Sequence, residues 1–116
     1  VLMNLLCNYQ GYRGCNLILV FDAYKVPQNL GMVEKYHNIF IVYTQEAETA
    51  DSYIERVTYE LRGRKRVRVA TSDNLEQLII LGHGAVRVSA KSFHDEVMQT
   101  QQEIERILAQ NNQKNQ

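Results

Sequence analysis

Tryptophan is absent from this chain, proline occurs once and cysteine twice, and neither sign of charge is in excess. Each scarcity removes a class of explanation. Cys7 and Cys15 have no second pair with which to build a thiolate zinc site. Read as reduced thiols, they accord with a cytoplasmic chain. Thirteen Lys and Arg balance thirteen Asp and Glu, so global electrostatics does not point to DNA or a membrane, and any such signal is local. No apolar run approaches the ~20 residues that a membrane span needs. Val1-Leu2-Met3-Asn4 has neither the positive start nor the small-residue cleavage site of a signal peptide. What remains is 116 residues, 45% of them apolar, enough for one domain with one core.

Three short apolar runs are present instead, and each ends in a polar, acidic corner. Asn16-Leu17-Ile18-Leu19-Val20-Phe21 ends at Asp22. Asn38-Ile39-Phe40-Ile41-Val42-Tyr43 leads to Glu46, Glu48 and Asp51. Val67-Arg68-Val69-Ala70-Thr71 leads to Ser72-Asp73. Continuous hydrophobicity suits strands covered on both faces, hence a parallel sheet. Helical spacing fits residues 1–12, 49–62, 73–81 and 90–109. In the third of these, Leu75, Leu78, Ile79 and Leu81 are the expected inward residues. A loop holds Pro27 between Tyr24 and Gly31, a short helical turn is expected over 31–36, and Val86–Val88 reads as a short edge strand. Alternation of strands and helices predicts an α/β domain over 1–109, a small parallel sheet with helices on both faces. The tail 110–116 has no apolar residue and is expected to be disordered.

Parallel strands would bring the three acidic corners to one edge, where open α/β sheets bind ligands. Carboxylates gathered there repel one another unless a cation or a proton separates them. Each acid also has a purely structural role open to it. Asp22 suits a turn. Glu46, Glu48 and Asp51 suit a helix start capped by Thr49. Asp73-Asn74-Leu75-Glu76 fits a capping box. Together they form an oxygen-rich set suited to Mg²⁺ or Mn²⁺. Such an ion can activate water and stabilise charge on a phosphate.

The segments Leu19-Val20-Phe21-Asp22-Ala23, Tyr43 to Asp51 and Val69-Ala70-Thr71-Ser72-Asp73 resemble the YacP-like NYN domain family, within the PIN-like nuclease superfamily. The likeness continues through Gly82-His83-Gly84-Ala85-Val86-Arg87 and Ser89-Ala90, and spans roughly residues 5 to 107. It implies a PIN-like three-layer sandwich and a metal-dependent endoribonuclease acting on mRNA, in some relatives on the ribosome. By motif, Asp22, Asp51 and Asp73 would be catalytic and metal-binding, with Glu48 as a further ligand. Thr71 and Ser72 would orient Asp73 or water at the metal. The family begins with a strand ending in an Asp-Gly-Tyr-Asn type motif that this chain does not show. An N-terminally truncated domain that starts within a helix is the expectation, and such a fragment could be inactive.

Arg62-Gly63-Arg64-Lys65-Arg66-Val67-Arg68 is the densest basic run. Arg64, Lys65 and Arg66 are candidates for RNA contact. They equally suit a solvated loop after a helix C-terminus. A helix of ~14 residues at ~1.5 Å each would carry them about 20 Å from the acidic edge, out of reach of a scissile phosphate. Tyr24, two residues after Asp22, is the tyrosine best placed to touch substrate. His37, His83 and His94 lack metal-ligand spacing. The alternative to a nuclease is a non-catalytic module that binds RNA or the ribosome. A receiver-like phosphoacceptor centred on Asp22 lacks the lysine expected at a later strand end, since the nearest is Lys91.

Overall fold

The computed structural model describes residues 1–23 and 31–114. Tyr24 and the Pro27 loop lie outside the described residues. The order of elements is α1 (Leu2–Arg13), β1 (Ile18–Phe21), β2 (Met32–Tyr36), β3 (Ile39–Tyr43), α2 (Ala50–Leu61), β4 (Arg68–Ala70), α3 (Asn74–Gly82), β5 (Val86–Val88) and α4 (Ala90–Lys114). The chain therefore has a mixed α/β fold.

Among the described residues the strands form two small sheets. In one, β3 lies between β1, parallel to it, and β2, antiparallel to it. In the other, β4 and β5 are parallel. The helical turn expected over 31–36 is instead the edge strand β2. It pairs with β3 through a two-residue turn in which His37 takes φ 53°. Its exposed side chains carry no burial signal, and local periodicity alone could not separate it from a turn. Asn38 at the turn donates to the Cys7 carbonyl at 2.8 Å, which docks the hairpin on α1.

Two apolar clusters hold these layers. Leu6 and Tyr9 of α1, Ile39 of β3 and Val97 of α4 make the first, with Phe93 packed edge-on to Tyr9. Val69 of β4, Ile80 of α3 and Ala85 make the second, with Ile54 of α2 against it. One polar clamp joins α1, β4 and α4. The Arg68 guanidinium donates to both Glu96 oxygens, at 3.0 and 3.1 Å, and the Tyr9 hydroxyl donates to the same carboxylate. The guanidinium, and then the tyrosine, hold the Glu96 carboxyl down at about 2.

Three further expectations need correction. The sheet is not wholly parallel, because β2 runs antiparallel to β3. On α3, Ile80 is fully buried while Leu78 and Leu81 are exposed, so the inward face is rotated from the one expected. The Leu75 side chain lies outside those described. Residues 110–114 are not a disordered tail but the last turn of α4. That turn is exposed where its side chains are described, so apolar content could not announce it. Cys7 and Cys15 are free thiols. No helix among the described residues is long and apolar enough to cross a membrane.

Candidate metal centre

β1 and β3 end side by side, at Phe21 and Tyr43, in a parallel pair. The residues just beyond these two strand ends therefore lie at one edge. That edge is tied shut by Thr44, whose N–H donates to the Phe21 carbonyl at 3.1 Å. Its hydroxyl accepts from the Ala23 N–H at 2.9 Å. The two bonds fix the backbone on both sides of Asp22. Thr44 is buried and carries no acid, so acidic motifs alone do not reveal it.

Asp22 is exposed, and its carboxylate accepts from the N–H of Ala50, the first residue of α2. A negative charge there complements the helix dipole. Thr49 caps the same helix, its hydroxyl accepting from the Ser52 N–H at 3.0 Å. That cap places Asp51 in the first turn. On the other sheet, the Thr71 N–H continues the ladder to the Val88 carbonyl at 3.1 Å. The Thr71 hydroxyl accepts from the Asp73 N–H, also at 3.1 Å. Asp73 Oδ1 then accepts from the Glu76 N–H in the first turn of α3. Ser72 is exposed at this corner.

The three corners share one electrostatic environment. Partial burial, and then the charges of Asp73, Asp22 and Glu55, raise the Asp51 carboxyl above its ordinary value. Asp51 in α2 thus feels the charges of Asp22, after β1, and of Asp73, at the β4–α3 corner. Glu48 is not among the carboxylates acting on Asp51. It pairs with Arg56 at 3.2 Å and lines a shallow groove with Tyr43, Tyr53 and Arg56.

Glu76 joins the cluster instead. Only 2% of it is exposed, and its Oε1 has no hydrogen-bond partner. Burial drives its carboxyl up to about 8, helped by a hydrogen bond with Glu55 and by the charges of Asp51, Glu55 and Asp73. A hydrogen bond between two carboxyls needs a proton on one of them. In sequence, Glu76 reads as the reciprocal half of a capping box. The signal that could have found it is its i, i+4 spacing from the buried Ile80.

No three Asp, Glu, His or Cys side chains among the described residues stand close enough to hold a metal ion as they lie. The donors nevertheless fit a hard divalent cation in kind. They are all carboxylates, burial and neighbouring charges raise Asp51 and Glu76 above their ordinary values, and one buried oxygen of Glu76 lacks a hydrogen-bond partner.

The basic turn lies at the other end of α2. Its 12 residues span roughly 18 Å at ~1.5 Å each. Arg64, Lys65 and Arg66 are exposed there. Lys65 lines a cavity of about 50 Å³ with Thr58, Arg62 and His83. His83 is fastened in place: its Nδ1 lies 3.0 Å from the Thr58 hydroxyl and its ring packs edge-on to Tyr59. Thr58 spends its own proton on the Glu55 carbonyl, so Nδ1 carries the hydrogen of that contact. This arrangement makes His83 a link between α2 and the end of α3.

Known proteins share both sequence and shape with this arrangement. The family model for the YacP-like NYN domain matches residues 1–116. The chain belongs to the YacP-like NYN domain family. It is 39% identical over 107 residues to the uncharacterized protein YacP of Bacillus subtilis (strain 168), covering 91% of this chain and 62% of that protein. The crystal structure of Rae1 (YacP) from Bacillus subtilis superposes with a TM-score of 0.80 at 34% identity, over 98% of this chain and 66% of that one. A mutant form of the same protein gives 0.81 at 34% identity, over 97% and 65%. This NYN-family chain thus has the PIN-like nuclease fold and spans under two thirds of the length of these relatives.

Proposed function

We propose that the domain is the metal-dependent endoribonuclease part of its protein, acting on mRNA, with engagement at the ribosome as its setting. The observation that carries this reading is that Asp51, raised first by partial burial, is raised further by the charges of Asp73 and Asp22 from two other corners. Helix caps and turns account for each acid singly, but they do not require the three to share one edge.

Asp22, Asp51 and Asp73 would hold Mg²⁺ or Mn²⁺, with Glu48 a ligand by family motif alone. A bound divalent ion supplies Lewis-acid stabilisation of phosphate charge and lowers the pKa of water. The chain's own contribution is positioning. Thr44 fixes the backbone around Asp22, and Thr71 holds the Asp73 N–H and with it the corner that bears Ser72. Phe21 and Tyr43, stacked with centroids 5.6 Å apart at the strand ends, offer aromatic surface beside the acids. Tyr24 follows Asp22 by two residues. Arg64, Lys65 and Arg66 lie too far off for the scissile phosphate and would contact flanking RNA.

In the full-length protein, Asp22→Asn and Asp73→Asn are expected to abolish Mn²⁺-dependent cleavage of RNA while leaving the fold intact by circular dichroism. Cleavage at the parental rate in both variants would remove the assignment. The absence of a ready-made metal set among the described residues favours one second reading, a non-catalytic module that docks on RNA or the ribosome. Charge reversal at Arg64, Lys65 and Arg66 would then abolish binding, and the acidic substitutions would change nothing.

A further inference from the structure

We propose that the cavity at the far end of α2 is a binding site for one phosphate group, held by Arg62 and Lys65 against a wall made by His83. Neither the acidic edge nor the likeness to YacP assigns anything to this place. Phosphate recognition here stands apart from the metal-site reading. Only the choice of an RNA strand as carrier of the phosphate rests on the nuclease reading.

The five basic side chains from Arg62 to Arg68 are not equivalent. Arg68 is spent on Glu96. Arg62 and Lys65 border the cavity, whereas Arg64 and Arg66 do not. The turn makes this selection. Gly63 takes φ 75°, a conformation that favours glycine, and the N–H groups of Arg64 and Lys65 both donate to the Leu61 carbonyl, at 3.0 and 3.1 Å. The reversal sets two cations, three residues apart, at one opening.

Nothing among the described residues neutralises that pair. Arg56, Arg68 and Arg106 are matched to carboxylates, but no Asp or Glu pairs with Arg62 or Lys65, and none borders the cavity. Capping of helix ends does not use the Lys65 ammonium, because backbone N–H groups already serve the last carbonyls. Leu61 accepts the two bonds of the turn. At the end of α3, the Ile80 carbonyl accepts from His83 and Ala85, each at 3.1 Å, and that of Leu81 accepts from Gly84 at 3.0 Å. The two helix ends bring about half a negative charge each, against two full positive charges. The opening therefore remains electropositive by about one charge.

The donors are also in place. The Arg62 guanidinium lies 3.6 Å from the Tyr59 ring centroid, and its Nη1 donates to the Tyr59 carbonyl at 2.8 Å. Most of its planar fork of N–H groups is left for an oxyanion, and its position is already fixed. Lys65 is exposed and adds an ammonium with three donors. The wall is equally rigid, since buried Thr58 holds His83 Nδ1 at 3.0 Å. The cavity volume is about 50 Å³. One water needs ~10–15 Å³ and a small-molecule pocket starts near ~300 Å³, so the space suits one compact ion or group. Size and charge together select a tetrahedral phosphate, carried by an RNA strand or free in solution.

The test titrates the full-length protein at fixed pH, with EDTA present so that the metal site plays no part. The side-chain ¹H–¹⁵N resonances of His83 report occupancy. The probes are inorganic phosphate, chloride at equal ionic strength, and a uridine hexamer without terminal phosphates. Phosphate is expected to move His83 and chloride to leave it. Lys65→Gln and Arg62→Gln should each weaken phosphate binding by about ten-fold, and Arg64→Gln by no more than about two-fold. Movement of His83 by the hexamer, lost in Lys65→Gln, assigns the site to a strand phosphate. Movement by inorganic phosphate alone assigns it to the free ion and detaches it from RNA. The proposal is overturned if phosphate moves His83 no more than chloride does, a comparison that needs no substitution. It is overturned equally if Lys65→Gln has no effect, or if Arg64→Gln weakens binding as much as Lys65→Gln, since the anion would then sense only the general field of the basic turn. Loss of Mn²⁺-dependent cleavage in the acidic variants bears on the nuclease reading and not on this one.

Discussion

The backbone N–H of Glu76 donates to Oδ1 of Asp73 at 3.1 Å, and the Asp73 N–H donates to the Thr71 hydroxyl at 3.1 Å. One half of a capping box is formed, and the residue that donates to it carries a buried acid. Asp73 thus serves the helix and the acidic edge at once.

The two roles of Asp73 separate by substitution. Asp73→Asn keeps a side-chain oxygen for the Glu76 N–H and should fold with nearly parental stability. Asp73→Ala loses the cap and should cost ~1 kcal/mol in urea denaturation. Both should lose Mn²⁺-dependent cleavage. Equal stability of the Asn and Ala forms would show that the cap is energetically idle.

Glu76 gives the metal-free protein an unusual pH dependence. Its folded value of about 8 lies above the ordinary 4.5, so the native state binds the extra proton. Its contribution to stability is complete below about 4.5 and is lost as pH rises through about 8. The urea midpoint should therefore fall between pH 5 and 9, and the decline should be blunted in Glu76→Gln. A parental midpoint that rises over this range would contradict the burial of an uncompensated carboxyl.

Glu96 behaves in the opposite sense. Its value of about 2 lies below the ordinary 4.5, because the Arg68 guanidinium and the Tyr9 hydroxyl donate to the ionised form. Its contribution is present above 4.5 and is lost as pH falls toward 2. Since Arg68 is nearly half exposed, solvent screening limits the effect, and Glu96→Gln should cost ~1 kcal/mol at neutral pH. A double-mutant cycle with Arg68→Met, read by urea denaturation, should show coupling at pH 7 and little at pH 2.

On α3, Ile80→Ala should cost about 2–5 kcal/mol and Leu78→Ala within about 0.5 kcal/mol. Ile80 is wholly buried in the second apolar cluster, while 61% of Leu78 is exposed. Thermal denaturation of the two variants distinguishes this face from the one that hydrophobicity suggests.

The pattern of Leu75, Leu78, Ile79, Ile80 and Leu81 explains why that face is hard to read. When four of five neighbouring positions among 78–82 are apolar, spacing gives no phase. The phase is set by the buried pair Glu76 and Ile80, and a buried glutamate is a residue that hydrophobic periodicity discards. The strand at Met32–Tyr36 is illegible for a related reason. It is an exposed edge held by backbone bonds to β3, and backbone bonds leave no trace in side-chain polarity. By contrast, Thr49 as cap of α2 is legible, because one hydroxyl and a nearby N–H suffice.

Local chemistry in the sequence thus determined the strands β1 and β3, the start of α2 and the acids that come after each strand. Those features depend on residues close along the chain. Tertiary structure alone decided which acids meet. Asp51 feels the charges of Asp22 and Asp73 although the three lie far apart in sequence, and β1 and β3 end side by side. Glu48, before α2, pairs with Arg56, and Glu76 faces inward on α3 with Ile80, placements that the order of the acids in the sequence does not reveal.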